Sequence, residues 1–140
     1  MRYTVTLLLI SILVTAKAQH QAVTAIQQVL AAQQAAWNSG NITQFMQGYW
    51  RNDSLQFVGK SGVTYGWNNT LANYKKGYAS AAEMGQLQFT IMNTKKISRK
   101  YYSILGKWQL TRSMGNIGGY FTLLFKKIKG KWLIVSDHSS

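Results

Sequence analysis

The sequence GGYFTLLFKKIKGKWLIVSDHSS, residues 118–140, carries the clearest secondary-structure pattern of the chain. Apolar side chains recur in it at every second position, at Phe121, Leu123 and Phe125. A period of two residues is typical of a strand that is buried on one face. Gly130 then predicts a tight turn, and residues 132–137 form a second, mostly apolar segment. The stretch therefore predicts two antiparallel strands at the end of the chain.

The same two-residue period predicts further strands upstream, at residues 87–91 and 102–110. Residues 53–58 predict the first strand of the chain, and residues 59–62 predict its turn. Helical spacing appears only before residue 80, where residues 22–37 carry one apolar stripe. Helices followed by strands predict an α+β domain in which a curved, mixed or antiparallel sheet wraps around about three N-terminal helices.

The ends of the predicted helices are marked by capping residues. Gly40 suits the left-handed C-terminal cap of the first helix, and Asn41 can cap a short second one. We expect Asn68 or Asn69 to begin a third helix. Its apolar face would consist of Leu71, Tyr74 and Tyr78.

The N terminus has the pattern of an export signal. Arg2 precedes an apolar run at residues 5–14, and the small-x-small sequence Ala-Lys-Ala ends at Ala18. The run is about ten residues long, whereas a membrane-spanning helix needs about twenty, which disfavours an uncleaved membrane anchor. We therefore expect a signal peptide at residues 1–18, one domain at residues 19–140, and a secreted or periplasmic mature protein without a transmembrane segment.

Charge is the other unusual feature of the composition. The chain has 16 lysines and arginines against 3 acidic residues, a net charge of +13, and no cysteine. Without disulfides the fold must rest on its core. The excess of positive charge predicts attraction to anionic partners.

Eight basic residues flank two predicted turns that lie at the same end of an antiparallel meander. They are Lys95, Lys96, Arg99, Lys100, Lys126, Lys127, Lys129 and Lys131. We call this set the basic rim. It would attract phosphate, anionic polysaccharide or lipid head groups. The alternative interpretation is a set of solvated turns, because lysine also protects strand edges.

Several local motifs appear in a fixed order along the chain. WNSGN at residues 37–41 follows the first helix, YWRND at residues 49–53 precedes the first strand, and Gly66 and Tyr74 surround the third helix. With residues 118–140, these motifs resemble the nuclear transport factor 2-like (NTF2-like) superfamily, particularly its small secreted branch related to SnoaL-like and DUF4440 domains.

The resemblance covers essentially all of residues 19–140. It implies a cone-shaped fold with a pocket between sheet and helices, often dimeric through the sheet. Such a dimer would use Tyr101 and Leu105, on the face opposite Tyr102 and Ile104. The resemblance does not imply one activity, because the superfamily includes steroid isomerases, polyketide cyclases, epoxide hydrolases, non-catalytic binders and assembly domains.

Few side chains of the predicted domain can take part in acid–base chemistry. They are Asp53, Glu83, Asp137, His20 and His138. No spacing among them suits a metal, and we expect neither a metal nor another cofactor. Asp53 is either a pocket carboxylate or a residue whose side chain bonds nearby amides at the start of the first strand.

Asp137 and His138 are a tempting pair, but neighbours on a regular strand point to opposite faces. We expect Asp137 to face the pocket or the core together with Leu133 and Val135. The other face would then carry Trp132, Ile134, Ser136 and His138.

The resemblance also argues against one known activity. In the steroid isomerases a general-base aspartate ends the first strand, and a tyrosine on the first helix donates to the oxyanion. Aligning the WNSGN motif and Asp53 with that pattern places Val58 at the base position and Gln33 at the tyrosine position. Valine cannot take a proton, so we expect no steroid isomerase activity of the known kind.

Aromatic residues with polar tips suit the lining of an organic ligand pocket, although core packing is the alternative for each ring. The candidate ligand-binding residues are Trp50, Tyr74, Tyr78, Trp108 and Tyr120. The leading hypothesis is an exported domain that binds a small, mostly apolar ligand. The alternatives are an isomerase, cyclase or hydrolase that uses Asp53 or Asp137, and an interaction module that binds an anionic partner through the basic rim.

Overall fold

Six strands and four helices follow one another in the computed structural model, which describes the backbone of residues 2–140 and the side chains of residues 16–140. The helices are α1 (Arg2–Asn38), α2 (Ile42–Phe45), α3 (Trp67–Gly77) and α4 (Ala81–Met84), with a 3₁₀ turn at Met46–Gly48. The strands are β1 (Gln56–Gly59), β2 (Gly62–Tyr65), β3 (Gln86–Lys96), β4 (Tyr101–Thr111), β5 (Ile117–Ile128) and β6 (Lys131–Ser139).

The strands form a mixed sheet in the order β2-β1-β6-β5-β4-β3. Strands β3 to β6 are an antiparallel meander, and β1 pairs with β6 in parallel, with Phe57 opposite Asp137. Helices α1 and α3 contact the sheet and α2 packs against both of them, which confirms the predicted α+β cone. The short strand β2, which the sequence did not suggest, forms a hairpin with β1 at the edge.

Helix α1 packs on the domain through its C-terminal half. Its buried stripe includes Ile26, Leu30 and Trp37, as the helical spacing predicts, whereas residues 16–21 are exposed. The helix continues through Ala18, so the predicted cleavage site lies in a helical segment that makes no core contact. The side chains of most of the predicted signal peptide, residues 1–15, lie outside the described residues. Within the described part of the chain, no helix has the length and apolarity that crossing a membrane requires.

The N-terminal caps of α2 and α3 differ in how well they follow the sequence. Asn41 does cap α2, because its side chain accepts a hydrogen bond from the backbone N–H of Gln44 at 2.9 Å. The prediction that Asn68 or Asn69 caps α3 is wrong. Gly66 is the N-cap, since its φ of 89° lets the chain reverse sharply from β2 into the helix.

The predicted start of the first strand at Asp53 is also wrong. Asn52 organises a turn there, because its backbone carbonyl accepts from Leu55 N–H and its side chain accepts from Ser54 N–H. β1 therefore begins only at Gln56. Asp53 lies in this exposed turn, and it is Asn52 whose side chain bonds a nearby amide.

The regular alternation expected for the last strand is interrupted by a β-bulge. Leu124 pairs with Ser136 but Phe125 pairs with Ile134, so Val135 is an extra residue in β6. As a result Ile134 and Asp137 are both buried, as is Trp132. The prediction that Trp132 and Ile134 lie on the face opposite Asp137 is wrong for this reason.

The outer face of β4 agrees with the predicted alternation, because Tyr102 and Ile104 are buried while Leu105 is exposed and Tyr101 half-buried. The homodimer through this face stays a prediction. On the inner side, aromatic rings meet edge to face, with the centroid of Trp37 5.2 Å from Phe45 and 4.8 Å from Tyr78. Such pairs contribute about 0.5–1.5 kcal/mol each beyond their burial.

Candidate functional site

A cavity of about 900 Å³ lies between the concave side of the sheet and the helices. Aromatic rings from the helical segments form one wall: Trp37, Phe45, Tyr74 and Tyr78. Rings from the sheet form the other: Phe57, Phe89, Trp108 and Phe121. Polar side chains of the β1–β2 turn and of α3, including Lys60 and Lys76, stand at the mouth. The cavity is thus apolar inside and polar at its mouth.

Asp137 on β6 is the one acidic side chain lining this cavity in the described part of the chain, and only 3% of its surface is exposed. The hydroxyl of Tyr49 donates to Oδ2 of Asp137 at 2.7 Å, and the hydroxyl of Ser139 donates to Oδ1 at 2.6 Å. Tyr49 is held beside β6 because the N–H of Trp50 donates to the carbonyl of Ile134 at 2.9 Å. The carboxylate is thus buried but hydrogen-bonded at both oxygens.

The surroundings of Asp137 bring its titration close to neutral pH. Burial raises the pKa of Asp137 from the ordinary 3.8 to about 6, because an ionised carboxylate loses hydration inside the cavity. The hydroxyls of Ser139 and Tyr49 and the nearby His138 oppose this rise by stabilising the charged form. Both protonation states of Asp137 are therefore accessible near physiological pH.

The tyrosines beside Asp137 remain phenols. Burial, together with the negative charge of Asp137, raises the pKa of both Tyr49 and Tyr74 above its ordinary value of 10. Burial likewise raises the pKa of Tyr78, against the opposing charge of Arg112. These hydroxyls act as hydrogen-bond donors at neutral pH and not as bases.

No protein-family model and no curated protein matches the sequence. Among solved structures, an NTF-2-like protein of unknown function from Shewanella oneidensis is 40% identical. That match covers 85% of this chain and 98% of the other, with a TM-score of 0.82. The chain belongs to the NTF2-like proteins. Its finer placement in the SnoaL-like or DUF4440 branch stays a prediction.

Two more distant structures resemble this NTF2-like protein in fold alone. A ketosteroid isomerase-like protein from Erwinia carotovora is 14% identical over 84% of this chain and 93% of the other, with a TM-score of 0.66. A domain of unknown function with a cystatin-like fold from Nostoc punctiforme is 13% identical over 84% of this chain and 75% of the other, with a TM-score of 0.71.

The two positions compared with the steroid isomerases differ in their placement. Gln33 lines the cavity, where its Nε2 donates to the carbonyl of Phe45 at 3.2 Å. Val58 does not line the cavity; its neighbour Phe57 does. Neither Gln33 nor Phe57 can act as a base. In this NTF2-like protein the carboxylate that lines the cavity belongs instead to Asp137, the residue paired with Phe57 on the adjacent strand.

The structure brings together four of the residues singled out in the sequence and leaves four outside. Tyr74, Tyr78, Trp108 and Asp137 line the cavity. The remaining candidates are on or near the surface of the NTF2-like protein: Asp53, His138 and Tyr120, all exposed, and the half-buried Trp50. The predictions that place Trp50 and Tyr120 in the pocket are wrong by one residue, because the inward-facing side chains are those of Tyr49 and Phe121.

Tyr49 and Ser139 are site residues that lie outside the candidate ligand-binding and catalytic residues chosen from the sequence. The contact between Tyr49 and Asp137 joins residues 88 positions apart, and no local pattern reveals such a pair. Among the described residues, no cluster of three or more histidine, aspartate or glutamate side chains could hold a metal ion.

Proposed function

We propose that this NTF2-like protein binds a small, mostly apolar organic molecule in its cavity, with a hydroxyl or amine group of the ligand donating to Asp137. The observation that carries the proposal is a single buried carboxylate within a mostly aromatic and aliphatic cavity of about 900 Å³. Cavities of roughly 300–1,000 Å³ with few polar groups are typical of small-molecule sites.

The hydrogen bonds that Asp137 already makes favour a ligand that donates a further hydrogen bond to it. A carboxylate offers about four acceptor positions, and Tyr49 and Ser139 occupy one on each oxygen. The remaining positions can accept a hydrogen bond from a ligand, but an ionised Asp137 cannot donate one. The rings around it offer flat apolar faces, which suit an alicyclic or aromatic ligand body.

The tryptophans give a direct test, because two of the five line the cavity and three do not. Uncharged alicyclic and aromatic alcohols would be titrated into ¹⁵N-labelled protein, each beside its methyl ether, which lacks the donor. We expect the indole signals of Trp37 and Trp108 to shift while those of Trp50, Trp67 and Trp132 stay in place. The ethers should bind at least about tenfold more weakly, since hydrogen bonds to charged groups are worth about 1.5–3 kcal/mol. Equal shifts in all five signals, or none, would contradict the proposal.

Asp137→Asn tests the role of the carboxylate, and Asp53→Asn is its matched control in an exposed turn. Asp53→Asn should keep the preference for alcohols over ethers. Asp137→Asn should reduce that preference to a few-fold, because an amide oxygen still accepts a hydrogen bond but carries no charge. A preference of undiminished size in Asp137→Asn would remove Asp137 from the binding site.

A second candidate function is proton transfer, and the elevated pKa of Asp137 favours it. The carboxylate of Asp137 would take a proton from a carbon beside a ligand carbonyl and return it to another carbon, so that no proton is lost or gained overall. Tyr74, a phenol at neutral pH, would donate to the oxygen on which negative charge develops.

Deuterium exchange separates proton transfer from simple binding. In D₂O the protein should speed exchange at carbons beside the carbonyl of small cyclic ketones, and the rate should rise as pH passes about 6, because the base is the ionised Asp137. Asp137→Asn should abolish the acceleration, whereas Asp53→Asn should not. Exchange no faster than in buffer would leave binding alone as the function.

Export completes the proposal. We propose that the chain is cleaved near Ala18, and the exposure of residues 16–21 supports this, because the residues around the cleavage site contribute nothing to the buried core. The intact mass of the protein from its own host should match residues 19–140 or a product within a few residues of it. A full-length mass in a purely cytoplasmic fraction would contradict export.

A further inference from the structure

The basic rim gathers at one end of the sheet, as the predicted meander requires. The β3–β4 and β5–β6 turns are adjacent there, because the N–H of Lys127 donates to the carbonyl of Lys100 at 2.8 Å. Seven of its eight side chains are exposed; the exception is Lys126, whose ammonium lies 5.4 Å from the ring centre of Tyr101. The rim is therefore one continuous surface and not two separate turns.

The acidic residues do little to neutralise this surface. Asp137 is buried at the far end of β6, and Glu83 lies before β3, at the other end of the sheet, where it bonds Ser80 in the cap of α4. Asp53, the third carboxylate, precedes β1 on the other side of β6. The positive potential of the rim consequently extends into solvent.

Lys129 distinguishes the rim from an ordinary set of solvated turns. Lys129 and Gly130 both have positive φ, 48° and 79°, in the two-residue turn between β5 and β6. Such a turn strongly favours asparagine, aspartate or glycine at its first position. A lysine in this unfavourable conformation is not explained by the needs of the turn, which favours a role for its charge at the rim.

An apolar side chain stands at the tip of the other turn. Ile97 is 56% exposed, between Lys95 and Lys96 on one side and Arg99 and Lys100 on the other. A soluble polyanion offers an alkyl group no favourable contact, whereas a lipid surface offers anionic head groups for the lysines and an apolar layer for Ile97. We propose that the basic rim docks this protein on an anionic lipid surface, with Ile97 entering the boundary between head groups and acyl chains.

The test uses protein purified from its own host and vesicles of phosphatidylcholine, with or without phosphatidylglycerol, in a flotation assay. We expect binding only to the anionic vesicles. Because each basic residue near such a surface contributes about a fivefold gain in affinity, the double variant Lys96→Gln/Lys127→Gln should bind at least about tenfold more weakly. The matched control, Lys75→Gln/Lys107→Gln, removes two exposed lysines outside the rim and should change affinity less than about threefold.

Ile97→Ser separates a lipid from a soluble anion. It should weaken vesicle binding several-fold and leave binding of short polyphosphate unchanged. Equal losses of vesicle affinity in the two double variants would show that net charge alone, and not the basic rim, drives the binding, and would overturn the proposal. If Ile97→Ser binds vesicles as well as wild type does, and polyphosphate binds as tightly as the vesicles, the partner of the basic rim is a soluble polyanion and not a lipid surface. Equal binding to neutral vesicles would also overturn the proposal. None of these outcomes depends on the cavity.

Discussion

The hydroxyl of Tyr49 lies 2.7 Å from Oδ2 of Asp137 and bonds it inside the cavity. This contact joins the segment after the 3₁₀ turn to β6, so it connects the helical layer to the sheet. It also gives Oδ2 of the buried carboxylate its donor, since Ser139 bonds only Oδ1, and an unsatisfied buried charge is costly.

Tyr49→Phe should therefore destabilise the fold in a pH-dependent way. At pH 8, where Asp137 is ionised, we expect the free energy of unfolding to fall by about 1.5–3 kcal/mol. At pH 4.5, where Asp137 is protonated, the loss should be nearer about 1 kcal/mol. Urea denaturation at the two pH values measures both. Tyr65→Phe, which alters an exposed hydroxyl, should have no effect at either pH. Equal losses for Tyr49→Phe at both pH values would mean that its bond to Asp137 is not the cause.

Protonation of Asp137 should make the wild-type protein more stable as the pH is lowered from 7 to 4. The pKa of Asp137 is higher in the folded protein, about 6 against an ordinary 3.8, so between these values the folded state holds a proton that the unfolded chain releases. The stability that this proton provides is complete below about pH 3.8 and is lost as the pH rises through about 6. At about 1.4 kcal/mol per pH unit, the difference amounts to about 3 kcal/mol.

The measurement for this second prediction is the free energy of unfolding against pH for wild type, Asp137→Asn and Asp53→Asn. The slope between pH 4 and 6 should vanish in Asp137→Asn and persist in Asp53→Asn. A wild-type slope retained by Asp137→Asn would place the titrating group elsewhere.

Lys129→Asn should stabilise the β5–β6 hairpin while weakening attachment to anionic vesicles. Asparagine tolerates positive φ better than lysine does, and we expect a gain of roughly 0.5–1 kcal/mol in the free energy of unfolding. Lys127→Asn removes the same charge from a strand, where asparagine is unfavourable, and should lower stability. Thermal denaturation and vesicle flotation of both variants test the prediction. A Lys129→Asn variant that loses stability would contradict the strained turn.

Gly106→Ala should destabilise the sheet. An added Cβ at Gly106 would meet the ring of Phe121 and would lie 2.8 Å from the carbonyl oxygen of Thr90, a contact that forces the strands to shift. We expect a loss of about 1–3 kcal/mol, as for other overpacked cores. Gly77→Ala is the control, because nothing lies within 4 Å of its Cβ and alanine favours the helix that ends there. Equal melting temperatures for the two variants would refute this reasoning.

The fold follows from the sequence wherever its strands are regular. The alternation of Phe121, Leu123 and Phe125 correctly predicts three buried side chains, because β5 is regular over these residues. The same rule of alternation fails in β6, where the pairing with β5 leaves Val135 as the extra residue of a bulge. Nothing local in residues 131–139 marks that position, since a bulge depends on the register of the partner strand.

The candidate site was predictable only in part, for a related physical reason. Tyr74 and Tyr78 follow from helical spacing, and Trp108 from strand alternation. Tyr49 lies in a short irregular segment, where no period reveals the direction of its side chain. Its role depends on Asp137, whose position depends in turn on the bulge.

Native mass spectrometry tests directly whether the cavity holds a ligand against Asp137. The proteins compared are wild type, Asp53→Asn and Asp137→Asn, each purified from the protein's own host. If the cavity holds an apolar molecule against Asp137, wild type and Asp53→Asn should carry a stoichiometric small molecule and Asp137→Asn should carry much less. If none of the three proteins carries a small molecule, or all three carry equal amounts, Asp137 does not hold a ligand in the cavity.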